Sequence, residues 1–327
     1  MISRQALIDD PALRSTKAQG ALLGLAVGDA LGDLGRNDEH RKRYGLATSL
    51  NGAARSTDDT EFALLTARTL IDCGGDLTLE AVVDTWRRLI LDQGGLFDRG
   101  GRPLYGAVAN LQRGILPPLS GRDNVMNDDD GAAMRIAPIG ILCAGDPERA
   151  IALAGIEAQV SHDGDGIWAA QAVAAAVSIA MVDGTPDEIL DAARRPIPTD
   201  SWLCRALDRA DAICAAAGSI EAAWERLHDD LWTPVHSVSA EAIPQALAVF
   251  RLTAGDFRRG MFWACNFGRD ADTIGAVVGA LAGARQGVGV IPAEWIARVR
   301  QPAGVCLRFA AHEDVGRLAS QLADLIR

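Results

Sequence analysis

At 327 residues the chain is long enough to bury a substantial core, in one large domain or two ordinary ones. A net charge of −11 provides no basic footprint, which excludes non-specific binding to nucleic acid or to an anionic membrane surface. About half of the residues are apolar, aromatics are few and alanine and glycine abound, a profile of closely packed helices more than of sheets.

The N-terminal "MISRQALIDDPALRST" has acids where a signal peptide needs an apolar run. The first strong element is "QGALLGLAVGDALGD" (19–33), in which Gly20, Gly24, Gly28 and Gly32 fall four apart on one helix face. Next, "STDDTEFALLTARTL" (56–70) sets a hydroxyl and two carboxylates before an apolar helix. Val82, Val83, Trp86, Leu89 and Ile90 keep helical spacing, and so do Leu203, Ala206, Leu207, Ala210 and Cys214, with Gly218 as the expected C-cap. Between them "IWAAQAVAAAVSIAMV" (167–182) is apolar nearly all round and reads as a central helix. Loops are expected at 94–106, 117–131, 183–187 and 287–293. Near the C-terminus "FGRDADTIGAVVGALAGARQG" (267–287) repeats the four-residue glycine spacing at Gly275, Gly279 and Gly283. Thr273 to Ile291 is the one stretch apolar enough to suggest a membrane span, but Arg285 and Gln286 interrupt it, so it reads as a buried helix ending near Gln286. Strand alternation is hard to find and no linker divides the chain. The expectation is one all-α multi-helix domain over 1–327.

Six scattered cysteines without CxxC spacing suggest neither a zinc site nor a disulfide framework, and a reducing cytoplasm fits them. The chemistry lies elsewhere. Thr57, Asp58 and Asp59 stand before one helix, and Asp270, Asp272 and Thr273 before another. A helix N-cap needs one oxygen, yet each place supplies three. If the two helices pack together, four carboxylates converge, and their repulsion calls for cations. Oxygen donors without nearby His or Cys point to Mg²⁺, Mn²⁺ or Ca²⁺, and four acids suit two ions. Such ions could polarise a substrate oxygen and activate water.

Four motifs, in order, resemble the ADP-ribosylglycohydrolase family over about residues 17–296: "GALLGLAVGDALGD", "STDDTEFAL", "DGAAMRIAPIG" and "GRDADTIGAVVGALAGARQGVGVIP". The resemblance implies an all-α fold with a binuclear Mg²⁺ or Mn²⁺ centre, held by Thr57, Asp58, Asp59, Asp270, Asp272 and Thr273. It implies a substrate loop at Asp130, Gly131, Ala132, Ala133 and Met134 that holds ribose and diphosphate largely through backbone groups, and a further substrate contact at His162. Asp130 stands where the family commonly has Asn, and the acids beside it would repel a diphosphate. Where many members carry a glutamate that reaches the metals, this chain has Arg36, a planar donor suited to a phosphate or carboxylate. Asp33 is then the nearest candidate base, with Glu39 near it in sequence and Asp58 and Asp59 as the other acids available.

The function implied is a metal-dependent hydrolase of a ribosyl glycosidic bond, acting on an ADP-ribosylated or small-molecule substrate. A nucleoside-like N-glycosidase and a non-catalytic ADP-ribose or nucleotide binder remain open alternatives. So does the oligomeric state.

Overall fold

The two glycine stripes meet face to face. In the computed structural model, which describes residues 2–36, 45–49 and 54–327, α1 (Arg4–Asp9) leads into α2 (Pro11–Gly35), and after the acidic motif come α3 (Asp58–Asp72), α4 (Leu79–Leu89), α5 (Arg102–Gln112) and α6 (Leu119–Arg122). There follow α7 (Ala137–Leu142), α8 (Pro147–Ala158), α9 (Asp165–Ala180), α10 (Pro186–Arg194), α11 (Trp202–Ala217) and α12 (Ile220–Asp229). The chain ends with α13 (Ser239–Leu252), α14 (Phe257–Cys265), α15 (Ala271–Gln286), α16 (Ala293–Val299) and α17 (Val315–Ala323). Among the described residues there is no strand; a lone antiparallel bridge joins Asp129 to Val238.

Helices α2 and α15 form the most extensive helix pair, antiparallel, with Gly20 opposite Gly283, Gly24 opposite Gly279 and Gly28 opposite Gly275. A Cβ added at any of these glycines would run into the opposing carbonyl. The intrinsic penalty of glycine in a helix, about 1 kcal/mol each relative to alanine, is offset by the backbone approach that its bare Cα permits. Gly28→Ala tests which term wins: it should lower the unfolding free energy by about 2–3 kcal/mol, because overpacking against a backbone outweighs the better helix propensity. Gly289→Ala is the control, since a Cβ there meets nothing. Equal urea midpoints for the two variants would contradict the close approach of the two backbones.

Around this pair the rest forms one compact domain. Helix α9 packs on α7, α8, α10 and α15, and most of its side chains are buried, as its all-round apolar sequence requires. Helix α17 closes the other side against α2, α3 and α7. Gly218 caps α11 in the left-handed conformation (φ 70°), and α15 ends at Gln286. The expected loops are shorter than their Gly and Pro content suggests. Pro103 and Pro186 fall in the first turns of α5 and α10, where a missing N–H costs no hydrogen bond. Thr185 and Glu188 complete a capping box at the second of these. No described helix is long and apolar enough to cross a membrane.

Candidate active site

The antiparallel glycine contact sets the C-terminal end of α2 beside the N-terminus of α15. Asp29, Asp33 and Arg36 thereby meet Asp270, Asp272 and Thr273 across more than two hundred residues of sequence. The start of α3 is tied to the same place by Asp29. Its Oδ2 accepts from the Thr57 N–H (2.7 Å), the Thr60 N–H (3.2 Å) and the Thr60 hydroxyl (2.5 Å), and its Oδ1 from the Thr57 hydroxyl (2.6 Å). An acid from another helix therefore caps α3, and Thr57 makes no side-chain cap bond of its own. Asp58 and Asp59 are left free to face a cavity.

On the other side, Gly268 and Arg269 both adopt left-handed backbone (φ 84° and 58°) immediately before Asp270. The conformation is costly for arginine and is fixed by its side chain: Nη2 donates to Glu241 Oε2 (2.9 Å), Nε to Glu241 Oε1 (2.5 Å), and the guanidinium lies 5.2 Å from the Trp232 ring. The glutamate end of the α3 motif is structural too. Glu61 accepts from the N–H groups of Val305, Cys306 and Leu307 (2.7, 2.8 and 2.7 Å).

The third wall is the segment 126–134. Asp129 Oδ1 accepts from the Gly131 N–H (2.8 Å) and lies 2.7 Å from His162 Nε2, while His162 Nδ1 lies 2.7 Å from the Ser161 hydroxyl. Arg135 has no exposed surface and donates to Gly131 O, Glu157 Oε1 and Ser161 Oγ (2.8, 2.9 and 2.9 Å). Together these walls enclose about 410 Å³, within the roughly 300–1,000 Å³ typical of small-molecule sites. The lining is strongly charged: Asp58, Asp59, Asp129, Asp130, Asp270 and Asp272 against Arg36, Arg99 and Arg102, with His236 beside them.

Two guanidinium groups enter the acid cluster. Arg36 Nη1 lies 2.7 Å from Asp272 Oδ2 and its Nη2 3.2 Å from Asp270 Oδ1. Arg99, itself left-handed at φ 69°, donates to Asp33 Oδ1 (2.7 Å) and to the same Asp272 Oδ2 (3.0 Å). Burial would push Asp272 up, but Arg36, Asp270 and Arg99 hold it below the usual carboxylate range. The remaining acids are less well compensated. Burial, then Asp272, pushes Asp58 up to about 7. Asp59, Asp130 and Asp270 are raised well above the ordinary value, first by burial and then by neighbouring carboxylates.

The buried oxygens Asp59 Oδ1, Asp130 Oδ2 and Asp272 Oδ1 have no hydrogen-bond partner. Hard oxygen atoms without donors, on residues that line a cavity, are what a divalent cation of the Mg²⁺ or Mn²⁺ class satisfies, so the residues fit such an ion. Among the described residues no three His, Cys, Asp or Glu side chains stand ready as a closed cage, with Arg36 and Arg99 drawing Asp272 and Asp270 toward themselves.

These shifts carry a pH signature. A carboxyl raised in the fold keeps its proton between its ordinary value near 3.8 and its folded value near 7, where the unfolded chain has already lost it; stability therefore falls as pH rises through that window. Asp29, raised to about 7 by burial, adds to Asp58 in this sense. His236, lowered by burial and by Arg36, opposes them with a single group. In EDTA the melting temperature should thus be lower at about pH 7.5 than at about pH 5, and a divalent cation should recover it at the higher pH. A melting temperature that climbs across the window would contradict the burial of these acids.

The expected site residues divide into two groups. Asp58, Asp59, Asp130, Gly131, Met134, Asp270, Asp272, Thr273 and Arg36 line one cavity. Thr57 is buried behind it on Asp29, and Asp33 is held by Arg99 and does not line it. Ala132 and Ala133 are buried away from it. His162 also lies outside the lining: its side chain has no exposed surface and is spent on Asp129 and Ser161, so it orients the loop and does not reach a substrate in this conformation. Glu39 lies outside the described residues. Asp29, Arg99 and His236 are not distinguished by sequence, whereas Asp129 is one of the acids before Gly131. Asp29 sits in the glycine motif without a pattern of its own, and Arg99 is one cation in a glycine-rich loop whose partner is 173 residues away.

The family model described as ADP-ribosylglycohydrolase matches residues 9–327. An uncharacterized protein of Archaeoglobus fulgidus is 32% identical over 294 residues, 86% of this chain and 90% of that protein. The ADP-ribosylarginine hydrolase Tri1 of Pseudomonas putida is 26% identical over 94% of this chain and 78% of its own length. Among solved structures, an ADP-ribosylglycohydrolase-related protein complex superposes with a TM-score of 0.70 at 25% identity, covering 96% of this chain and 99% of the other.

Proposed function

This chain belongs to the ADP-ribosylglycohydrolase family of glycosidic-bond hydrolases, and we propose that its substrate is a ribosyl N- or O-glycoside, cleaved in the Asp-lined cavity with the help of a divalent cation. The observation that carries the reading is the set of partnerless buried oxygens on Asp59, Asp130 and Asp272, three residues that line one pocket of substrate size. With Asp58 and Thr273 beside them and Thr57 oriented by Asp29, these residues would hold the cation. When bound, a Mg²⁺ or Mn²⁺ ion supplies Lewis acidity toward ribose oxygens and makes a water more acidic.

The protein's own groups do the rest. Asp58 lines the cavity as the first residue of α3, and we assign it as the base. In the proposed step it takes a proton from a water as the oxygen bonds to ribosyl C1, and passes it to the departing nitrogen or oxygen as the C1 bond breaks. Asp33 acts through Arg99, which it holds against Asp272. Gly131 and Met134, which line the cavity on a loop kept in place by Arg135 and by Asp129 on His162, receive the ribose side.

Two features speak to the substrate. One is the excess of lining aspartates over arginines, which favours a cationic leaving group, such as the guanidinium of the arginine after which the Pseudomonas putida hydrolase is named, or an uncharged nucleoside-like one. The other is Asp129 and Asp130 beside Gly131 in the cavity wall, which favours a small ribosylated molecule over a full ADP-ribosyl group with its anionic diphosphate. We assign the protein to the cytoplasm on its six unpaired cysteines.

The test is a panel of ribosylarginine, ADP-ribosylarginine and nucleosides with Mg²⁺ or Mn²⁺, read by product chromatography beside calorimetry. Turnover of a ribosylated arginine or a nucleoside is expected. Tight binding without any product would make the chain a binding protein instead.

A further inference from the structure

We infer that Arg36 stands in for a second cation, so that this chain binds one divalent ion where its acid cluster has the donors for two. The inference rests on the proposed ion site, and concerns how that site is filled. Arg36 directly follows the last turn of α2, and the glycine contact with α15 aims it at the acids that begin the latter helix. Its two terminal nitrogens are divided between two carboxylates, one on Asp272 and one on Asp270. A planar fork can make that bridge, whereas a lysine could supply only a point charge. Its positive charge is fixed by those same partners and also suits the C-terminal end of a helix.

Arg99 reinforces the substitution from the opposite wall. It bonds the same Asp272 oxygen and is itself held by Asp33. Asp272 Oδ2 thus receives two guanidinium donors, and Asp270 Oδ1 has Arg36 at 3.2 Å and His236 Nε2 at 3.7 Å. An ion bound to those two oxygens would have to displace charged groups that are already paired and three-quarters buried. The oxygens without donors are elsewhere: Asp59 Oδ1, Asp130 Oδ2 and the second oxygen of Asp272. These side chains are at least 97% buried and line the cavity. They leave room in the charge balance for one ion. A second would face Arg36 and Arg99 at short range.

The experiment counts ions without reference to activity. The full chain is stripped with EDTA, titrated with Mn²⁺, and read by elemental analysis after gel filtration and by electron paramagnetic resonance. One Mn²⁺ per chain with an uncoupled six-line spectrum is expected. Arg36→Gln should admit a second, more weakly held ion, and Arg36→Glu a second ion with an exchange-broadened spectrum; a thermal melt of each variant shows that it is folded. Two ions in the parent would overturn the inference and leave the hydrolase reading standing. One ion in the parent and in both folded variants would also overturn it, because Arg36 would not be what excludes the second. No ion in the parent would overturn it together with the metal dependence, and the substrate panel run in EDTA would then decide whether hydrolysis survives without one.

Discussion

Asp58→Asn is expected to lower the maximal rate of ribosyl-bond hydrolysis by about 10²–10⁴-fold, the scale of losing a general base. The substitution keeps the shape of the side chain at the first residue of α3 and removes one negative charge from a cluster in which burial and Asp272 raise the remaining carboxyls. A residue that only supported the fold would lose rate and stability together. Here the two should separate: in EDTA at neutral pH the melting temperature should stay level or rise, because a self-repelling group is gone. Full activity in Asp58→Asn would move the base to another acid of the cavity, with Asp59 next in line.

Asp29→Ala should have the largest effect on stability. Four donors converge on this carboxylate: the backbone and hydroxyl groups of Thr57 and of Thr60. Removing it strands them in an interior that water does not reach, since Asp29 and Thr60 have no exposed surface. Burial makes the charged form of Asp29 expensive, which works in favour of the substitution, but hydrogen bonds to a charged acceptor contribute about 1.5–3 kcal/mol each and the donors left behind keep their desolvation cost. A net loss of about 3–5 kcal/mol in unfolding free energy follows, the size found for breaking one side of a buried charged network. Asp29→Asn keeps an acceptor oxygen and should lose less. Urea denaturation at pH 7 measures both, and an unchanged midpoint for Asp29→Ala would show that α3 does not depend on a cap from α2.

Much of this was legible in the chain. The glycine spacing at Gly20 to Gly32 and at Gly275 to Gly283 required a close helix crossing, periodicity located α4 and α11, because one side of each answers to burial, and apolar runs located α3, α9 and α15. The acids at 58, 59, 270 and 272 stood out because a cap needs fewer oxygens than they supply. What sequence could not give was partnership. Whether Arg36 reaches outward to a substrate or inward to Asp270 and Asp272 depends on the crossing of α2 and α15, and only the fold decides it. Arg99 is a similar case, placed by a left-handed loop residue with no local pattern. His162 looked like a substrate contact because it follows the motif spacing of its family, yet its imidazole is used up by Asp129 and Ser161. Asp29 was hidden in plain apolar surroundings, where a lone acid carries no periodic signal.

If water breaks a bond at ribosyl C1 in this cavity, its oxygen must stay with the sugar. Turnover of a ribosylated arginine or nucleoside in ¹⁸O-labelled water, followed by mass spectrometry of both products, reads where that oxygen goes. One ¹⁸O on the ribose C1 hydroxyl and none in the leaving group is the expected result, lost in Asp58→Asn. Label in the leaving group, or complete recovery of substrate from a chain that binds it, would contradict hydrolysis at C1.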